Sequence, residues 1–378
     1  MKTESHALKE VAGLFLKLGL IAFGGPAAHI SMMQQEVVYK RKWMTEAHFL
    51  DLLGATNLIP GPNSTEMAIH LGYERAGWKG LIAAGVLFIL PAAFITGCFA
   101  WLYKSYGMLP QVQPFIYGIK PAIIAIILAA VFPLAKRSAK NLKLIIIGIS
   151  ALVLALAGWN EIYIMLGAGI IMMIIYAIQN KKLNATGGVF VPFTLLQTPI
   201  TSIITVTNTQ LFFSFLKIGS ILYGSGYVLF AFLDTELVKK GIITRQLLVD
   251  AIAVGQFTPG PVSSAVTFIG YQLNGFSGAA ISTLGIFLPC FVFVALLNPL
   301  VKKMRSSKIF AAFLDAVNIA SVAVIVAVCF AIGKESITDW RTILIACVSA
   351  VVVFGFKKVN TVFIVFGGSL LGYFLSLV

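Results

Sequence analysis

Charge is scarce in this sequence, and negative charge is the scarcer sign. Only 11% of the 378 residues are charged, with 28 Lys and Arg against 14 Asp and Glu. Soluble domains carry about 25% charged residues, so a water-soluble globular fold is excluded. Histidine and cysteine are rarer still, at four each. Cys98, Cys290, Cys329 and Cys347 lie singly inside apolar stretches, without the paired spacing of a zinc site or a disulfide framework. No His-Glu-x-x-His motif occurs. No metal and no cofactor is therefore expected. The formal net charge of +14 could attract nucleic acid. However, the basic residues sit in short segments between apolar runs, where they set membrane topology, and no nucleic-acid partner is expected.

Apolar residues make up 59% of the chain, and the mean hydropathy is +0.94. Uncharged runs occur at 80–103, 144–159, 162–178 and 275–301, close to or above the ~20 residues that cross a bilayer as helix. The fold class is an all-α polytopic membrane protein, with the lipid bilayer as its surroundings. The first apolar run could pass for a signal peptide ending near Ala27 and Ala28. Its recurrence around 211–231 marks it as structure instead.

That recurrence is one part of a long internal repeat. Phe15, Lys17 and Gly19 return as Phe215, Lys217 and Gly219, and Glu36 returns as Glu236. Thr45 then faces Thr244, Asp51 faces Asp250, Gly72 faces Gly270 and Pro91 faces Pro289. The register drifts by two residues over this whole stretch, which marks a fused duplication. The organisation expected is a first repeat over 1–183, a linker over 184–209 rich in Thr, Gly and Pro, and a second repeat over 210–378.

At the centre of each repeat stands a Pro-Gly-Pro turn: Pro60, Gly61 and Pro62 in the first, Pro259, Gly260 and Pro261 in the second. Such a turn cannot continue a helix, because proline lacks the N–H and glycine loses the most entropy on ordering. Proline suits the first helical turn and the following Asn, Ser and Thr suit a cap, so a helix begins after each turn. Within a bilayer, broken backbone is tolerated only where protein or a polar cavity surrounds it. Matched breaks in two halves point to a transport site. The segments 46–73 and 245–271 are read as re-entrant hairpins, each limb being too short to span. Each half then has about five spans plus one hairpin.

Charge placement orients the halves. Lys40, Arg41, Lys42, Arg75 and Lys79 flank the first hairpin and put its ends in the cytoplasm. The basic stretches at 136–143, 302–308 and 357–358 also fall inside. Five spans is an odd number, so the second half is expected in inverted topology. The uncharged stretch 272–278 fits that placement; Lys239, Lys240 and Arg245 do not, and Asp234 and Glu236 offset them in part.

A tetrahedral dianion suits such breaks, because helix N-termini offer free N–H groups and about half a positive charge. The lining expected is Gly61, Asn63, Ser64 and Thr65 against Gly260, Ser263 and Ser264, with Asn57 and Gln256 as amide donors. The alternative is that these residues merely turn and cap the chain. Gly24, Gly25 and Gly224 offer either a second backbone approach to the anion or close helix packing. Lys17 and Lys217 are counter-charges or snorkel to the headgroups. His29, Glu66 and His70 have no counterparts in the other half. Asn63 and Glu66 have the spacing of a capping box. Glu66 and His70 lie one turn apart, so a gating or proton-linked role is the second reading.

Several of these stretches also resemble one family. Phe23 to His29 (Phe-Gly-Gly-Pro-Ala-Ala-His), the basic cluster with Trp43, Phe49 to Leu52, and Thr56 to Met67 are similar to the first half of the chromate ion transporters. Gly224 to Val228 and Val254 to Val262 are similar to the second half. The resemblance covers nearly the whole chain and implies a fused two-half member. It implies a secondary transporter, not an enzyme, that exports chromate across the cytoplasmic (inner) membrane. Membrane potential or proton motive force drives it, and sulfate competes. Sulfate, molybdate or another dianion as the true substrate stays open, as does a homodimer. An intramembrane enzyme acting on lipid phosphate is the reading from another class; it lacks a nucleophile or metal cluster in the sequence.

Overall fold

The computed structural model describes residues 2–107, 109, 111–179, 206–223, 226–356 and 359–377. Among them every regular element is helical. The first half comprises α1 (Lys2–Ile21), α2 (Gly25–Gln34), α3 (Glu46–Thr56), α4 (Asn63–Tyr106), α5 (Gln113–Ser138), α6 (Leu142–Leu156) and α7 (Glu161–Gln179). The second comprises α8 (Asn208–Ile221), α9 (Val228–Leu233), α10 (Arg245–Phe257), α11 (Ala265–Ser306), α12 (Lys308–Ser336), α13 (Trp340–Gly355) and α14 (Thr361–Ser376). Five helices are long and apolar enough to cross a membrane: α4, α5, α7, α11 with the turn before it, and α12. The shorter α6, α13 and α14 are apolar as well. The chain is therefore a multi-pass membrane protein. The stretch 302–308, expected as a loop, is helical up to Ser306.

The repeat reappears in the details of the helices. Thr45 and Thr244 cap α3 and α10, accepting from the backbone N–H of His48 and Leu247. One π turn follows α2 at Gln35–Lys40, and another follows α9 at Asp234–Val238. Both α4 and α11 break early and double back. Ala76 and Gly77 leave helical geometry in α4, as Asn274 and Gly275 do in α11, with both glycines at positive φ. Backbones of Gly72 and Gly80 then touch, and so do those of Gly270 and Gly278. A side chain at any of these four would meet a carbonyl of the opposite limb, so each hairpin requires its small residues. Each of these helices is thus a short limb followed by a long one.

α1 does not make the full crossing expected of it. Glu10 already meets Arg75 at 2.6 Å, beside the α4 kink. Gly19 lies against the carbonyl of Phe88 and the ring of Pro91, near the middle of the long limb of α4. Only residues 11–21 therefore run along that limb, about 16 Å of helix at 1.5 Å per residue. The chain turns at Ala22 and comes back through α2, so that Trp43 stacks under both Arg41 and Arg75, 5.8 and 5.4 Å from the ring centre. α8 repeats this placement, with Gly219 against the Ile286 carbonyl and the Pro289 ring.

The long limbs of α4 and α11 lie against each other. Gly85 faces the Phe291 ring. At the far end of the α4 limb, Gln272 donates to the Ala100 carbonyl at 2.8 Å and Lys104 sits 5.8 Å over the Tyr271 ring. α12 is the most enclosed of the five long helices, packed among α5, α6 and α7. α5 and α14 approach most closely at Gly118, Gly368 and Gly372.

Candidate functional site

Among the described residues four interruptions of helix converge: Ala22 to Gly24, Asn57 to Pro62, Leu222 and Tyr223 with Gly226 and Tyr227, and Thr258 to Pro261. They are tied by a reciprocal pair of backbone bonds. The Gly61 N–H donates to the Leu222 carbonyl at 2.7 Å, and the Gly260 N–H donates to the Ala22 carbonyl at 2.8 Å. Gly61 and Gly260 are repeat equivalents, and so are Ala22 and Leu222. Each Pro-Gly-Pro turn is thereby locked onto the first break of the other half, which satisfies donors and acceptors that no helix could satisfy. The remaining contacts follow the same exchange. Gly25 faces the Tyr227 hydroxyl, and Gly226 faces the Pro26 ring.

Beyond the turns, new helices begin at buried positions. The N–H groups of Thr65 and Glu66 close onto the Pro62 carbonyl, and that of Ser264 closes onto Pro261. The N–H groups at Asn63 and Ser64, and at Val262 and Ser263, are those that no preceding turn can accept. Asn63 donates its amide to Asn57 Oδ1 at 2.8 Å, joining the two ends of the first break. Thr96, on the long limb of α4, donates at 3.4 Å to Thr258 and at 3.2 Å to Ser264.

Around this centre polar atoms are buried without partners. The hydroxyls of Thr65 and Ser263, both carboxylate oxygens of Glu66, both ring nitrogens of His70 and Nδ1 of His29 find no hydrogen bond. His29 holds the Ala22 carbonyl with its other nitrogen at 3.1 Å. Buried polar groups are nearly always paired, so a cluster of exceptions calls for a ligand or water. Glu66 lies directly beside Gly61 and Cys290. It takes no part in a capping box, since the helix begins at Pro62 without a side-chain cap. No group of three or more potential metal ligands occurs among the described residues.

The structure thus brings together Gly25, Asn57, Gly61, Asn63, Thr65, Glu66, Gln256, Gly260, Ser263 and Ser264, with Ser64 buried in the same first turn. Gly224 lies outside the described residues. Gly61 and Gly260 act through the other half, their amides being already bonded to Leu222 and Ala22. Lys17 and Lys217 bind carboxylates. Lys17 reaches Glu36 at 3.1 Å, which Lys40 also holds; Lys217 reaches Glu236 at 2.6 Å, which Lys240 also holds. Sequence reasoning missed Ala22, Leu222, Tyr227, Thr96, Thr258 and Cys290. Only Thr258, inside the motif, was within its reach.

The profile of the chromate transporter family matches residues 9–173 and again 209–373, one match in each half. The chain is 31% identical to the chromate transport protein of Cupriavidus metallidurans over 97% of its own length and 93% of that protein's. It is 29% identical to a probable chromate transport protein of Synechococcus elongatus, with 92% and 90% covered. It is also 29% identical to the chromate transport protein of Pseudomonas aeruginosa, with 82% and 77% covered. No solved structure matches. With both of its halves matched, the chain belongs to the chromate transporter family.

Proposed function

We propose that this protein is a secondary transporter that carries chromate out of the cell across the cytoplasmic membrane, with sulfate and molybdate as competitors. Its membership of a transporter family makes it a transporter and not an enzyme. The anion rests where the four breaks meet. The observation that carries this reading is the set of unpartnered buried donors at Thr65 and Ser263, one in each half, beside two helix starts. Helix N-termini favour anions through their free N–H groups and dipole.

The two halves stand as an inverted repeat, and the turns sit in re-entrant hairpins. In support, the α4 kink lies at the start of the long α4 limb, beside Glu10, whereas Gln272 and Tyr271, next to the α11 kink, lie at its far end. A two-fold that places equivalent kinks at opposite ends of one helix runs across the helices, in the membrane plane. The duplication boundary is proposed within 184–209, a reading supported by family matches that cover 9–173 and 209–373.

The test is oxyanion flux into liposomes holding the purified chain, with chromate, sulfate and molybdate compared side by side. Thr65→Val combined with Ser263→Ala removes two hydroxyls that have no partner in the protein, so stability should hold. The KM for the oxyanion should rise about tenfold or more, since a hydrogen bond to a charged group is worth about 1.5–3 kcal/mol. Unaltered flux in the double variant would move the site away from the breaks.

A further inference from the structure

A second polar feature lies on the route to the breaks. A cavity of about 370 Å³ opens between the end of α5, the start of α12 and the first Pro-Gly-Pro break. Asn57 lines it, an exposed residue whose side chain accepts from Asn63 at the helix start. Its walls carry Asn318 and Ser321 from α12 and Ser138 from α5. Three charges stand at the rim: Arg137, Lys140 and Asp315. Lys140 is engaged with Asp315 at 2.6 Å, which leaves that pair neutral. Arg137 is exposed and has neither a carboxylate nor a hydrogen-bond partner among the described residues. The rim therefore holds one uncompensated positive charge, of the residue type whose planar fork fits oxyanions.

We infer that this cavity is the antechamber through which a tetrahedral oxyanion reaches the breaks, with Arg137 as the residue that first takes it and the Lys140–Asp315 pair as a brake on its affinity. The inference rests on the transport reading above and adds a second binding site to it. From Arg137 the polar groups that line the cavity are neutral: Ser138 and Asn318, then Ser321, whose hydroxyl donates to the Asn318 carbonyl at 2.8 Å, and Asn57, whose amide donates to the Leu53 carbonyl at 3.0 Å. A cation at the mouth with neutral polar groups along the cavity draws the anion in without trapping it there. Asp315 would repel the anion, and Lys140 masks it. Freeing Lys140 by neutralising Asp315 should therefore strengthen uptake at this face.

The experiment measures flux against oxyanion concentration in liposomes holding the full chain, with chromate or sulfate supplied on the face that carries Arg137. Arg137→Gln should raise KM about tenfold, the value of one charged hydrogen bond, with flux at saturation nearly unchanged, as expected for loss of uniform binding. Arg137→Lys should recover part of that loss. Asp315→Asn should shift KM the other way, lowering it about threefold, the scale of an exposed ion pair. Damage to the fold cannot produce changes of opposite sign, and the exposed Arg137 side chain makes its substitution safe for folding. The inference is overturned if Arg137→Gln leaves KM unchanged, or if it changes KM equally for anion supplied on the opposite face. A wild type that carries no oxyanion sinks the transport reading and this inference with it. Wild-type flux with an unaltered Arg137→Gln sinks this inference alone.

Discussion

A methyl group on Gly260 would stand 2.8 Å from the Ala92 side chain, with the carbonyls of Gly19 and Phe88 at 3.4 Å. The residue also has φ of +89°, a region that favours glycine. Gly260→Ala is therefore expected to cost about 1–3 kcal/mol, from backbone strain and crowding together. Pairing it with Ala92→Gly should return the crowding part and leave the strain, which thermal unfolding of the detergent-solubilised protein would separate. A double variant no more stable than Gly260→Ala alone would mean that Ala92 is not what the methyl group meets. Gly260 was legible as part of a helix break because its Pro-Gly-Pro turn occurs twice. Its partner was not, because a backbone carbonyl such as Ala22 O leaves no mark on side-chain identity. Lys17 and Lys217 show the intermediate case. Each recurs together with a glutamate 19 residues on, so the association was visible, but the contact depends on the turn of the chain between them. Arg137 was legible only as a topology signal, since nothing in a sequence distinguishes a free cation from the paired Lys140 three residues later.

At the scale of elements, the Pro-Gly-Pro breaks and the helix starts after them follow from local chemistry and were readable. The half-length α1 was not read, a full span being expected there, although Lys9 and Glu10 interrupt its apolar stretch and leave residues 11–21, with Lys17 among them, for the interior. The sharp folds at Gly77 and Gly275 fall where the segments read as hairpins, 46–73 and 245–271, gave way to the apolar runs from 80 and 275, with Glu74, Arg75 and Lys79 marking the first and no charge marking the second. These folds supply a direct test of the inverted arrangement. Lys79 and Ser277 are both exposed, beside the α4 and α11 kinks. In a chain whose four native cysteines are replaced, Ser277→Cys should react in whole cells with a thiol reagent that cannot cross the membrane. Lys79→Cys should react only after permeabilisation. Equal labelling of the two from outside would place both kinks on one face and remove the inversion.

At the scale of the molecule, the question is what drives an anion through. Moving one charge through 100 mV is worth ~2.3 kcal/mol. A dianion leaving a cell that is negative inside gains ~4.6 kcal/mol per 100 mV, which supports a concentration ratio of more than about a thousandfold. Export on voltage alone therefore runs uphill against concentration without a coupled proton. Import of the same dianion would have to bring two monovalent cations to break even and more to run uphill, each needing an acidic carrier in the interior. The interior offers little for that purpose. Glu36 and Glu236 are each held by two lysines, Glu161 and Asp234 are held by Lys239 and Arg245, and Tyr103 donates to Asp250 at 2.6 Å. Glu66 is the buried carboxylate at the breaks whose oxygens have no partner, with His70 one turn further on. We predict electrogenic export in which Glu66 tunes the site without being required for the driving force. In vesicles where a potassium gradient and valinomycin set the voltage without a pH gradient, wild type and Glu66→Gln should both move chromate, with rates within about tenfold of each other, the scale of one hydrogen bond to a charged group. Transport by the wild type that needs a pH gradient as well, and is lost in Glu66→Gln, would overturn this and make Glu66 the proton carrier. A requirement for the pH gradient that survives Glu66→Gln would pass that role to His70, whose two ring nitrogens are also unpartnered, and His70→Gln would then be the variant to lose it.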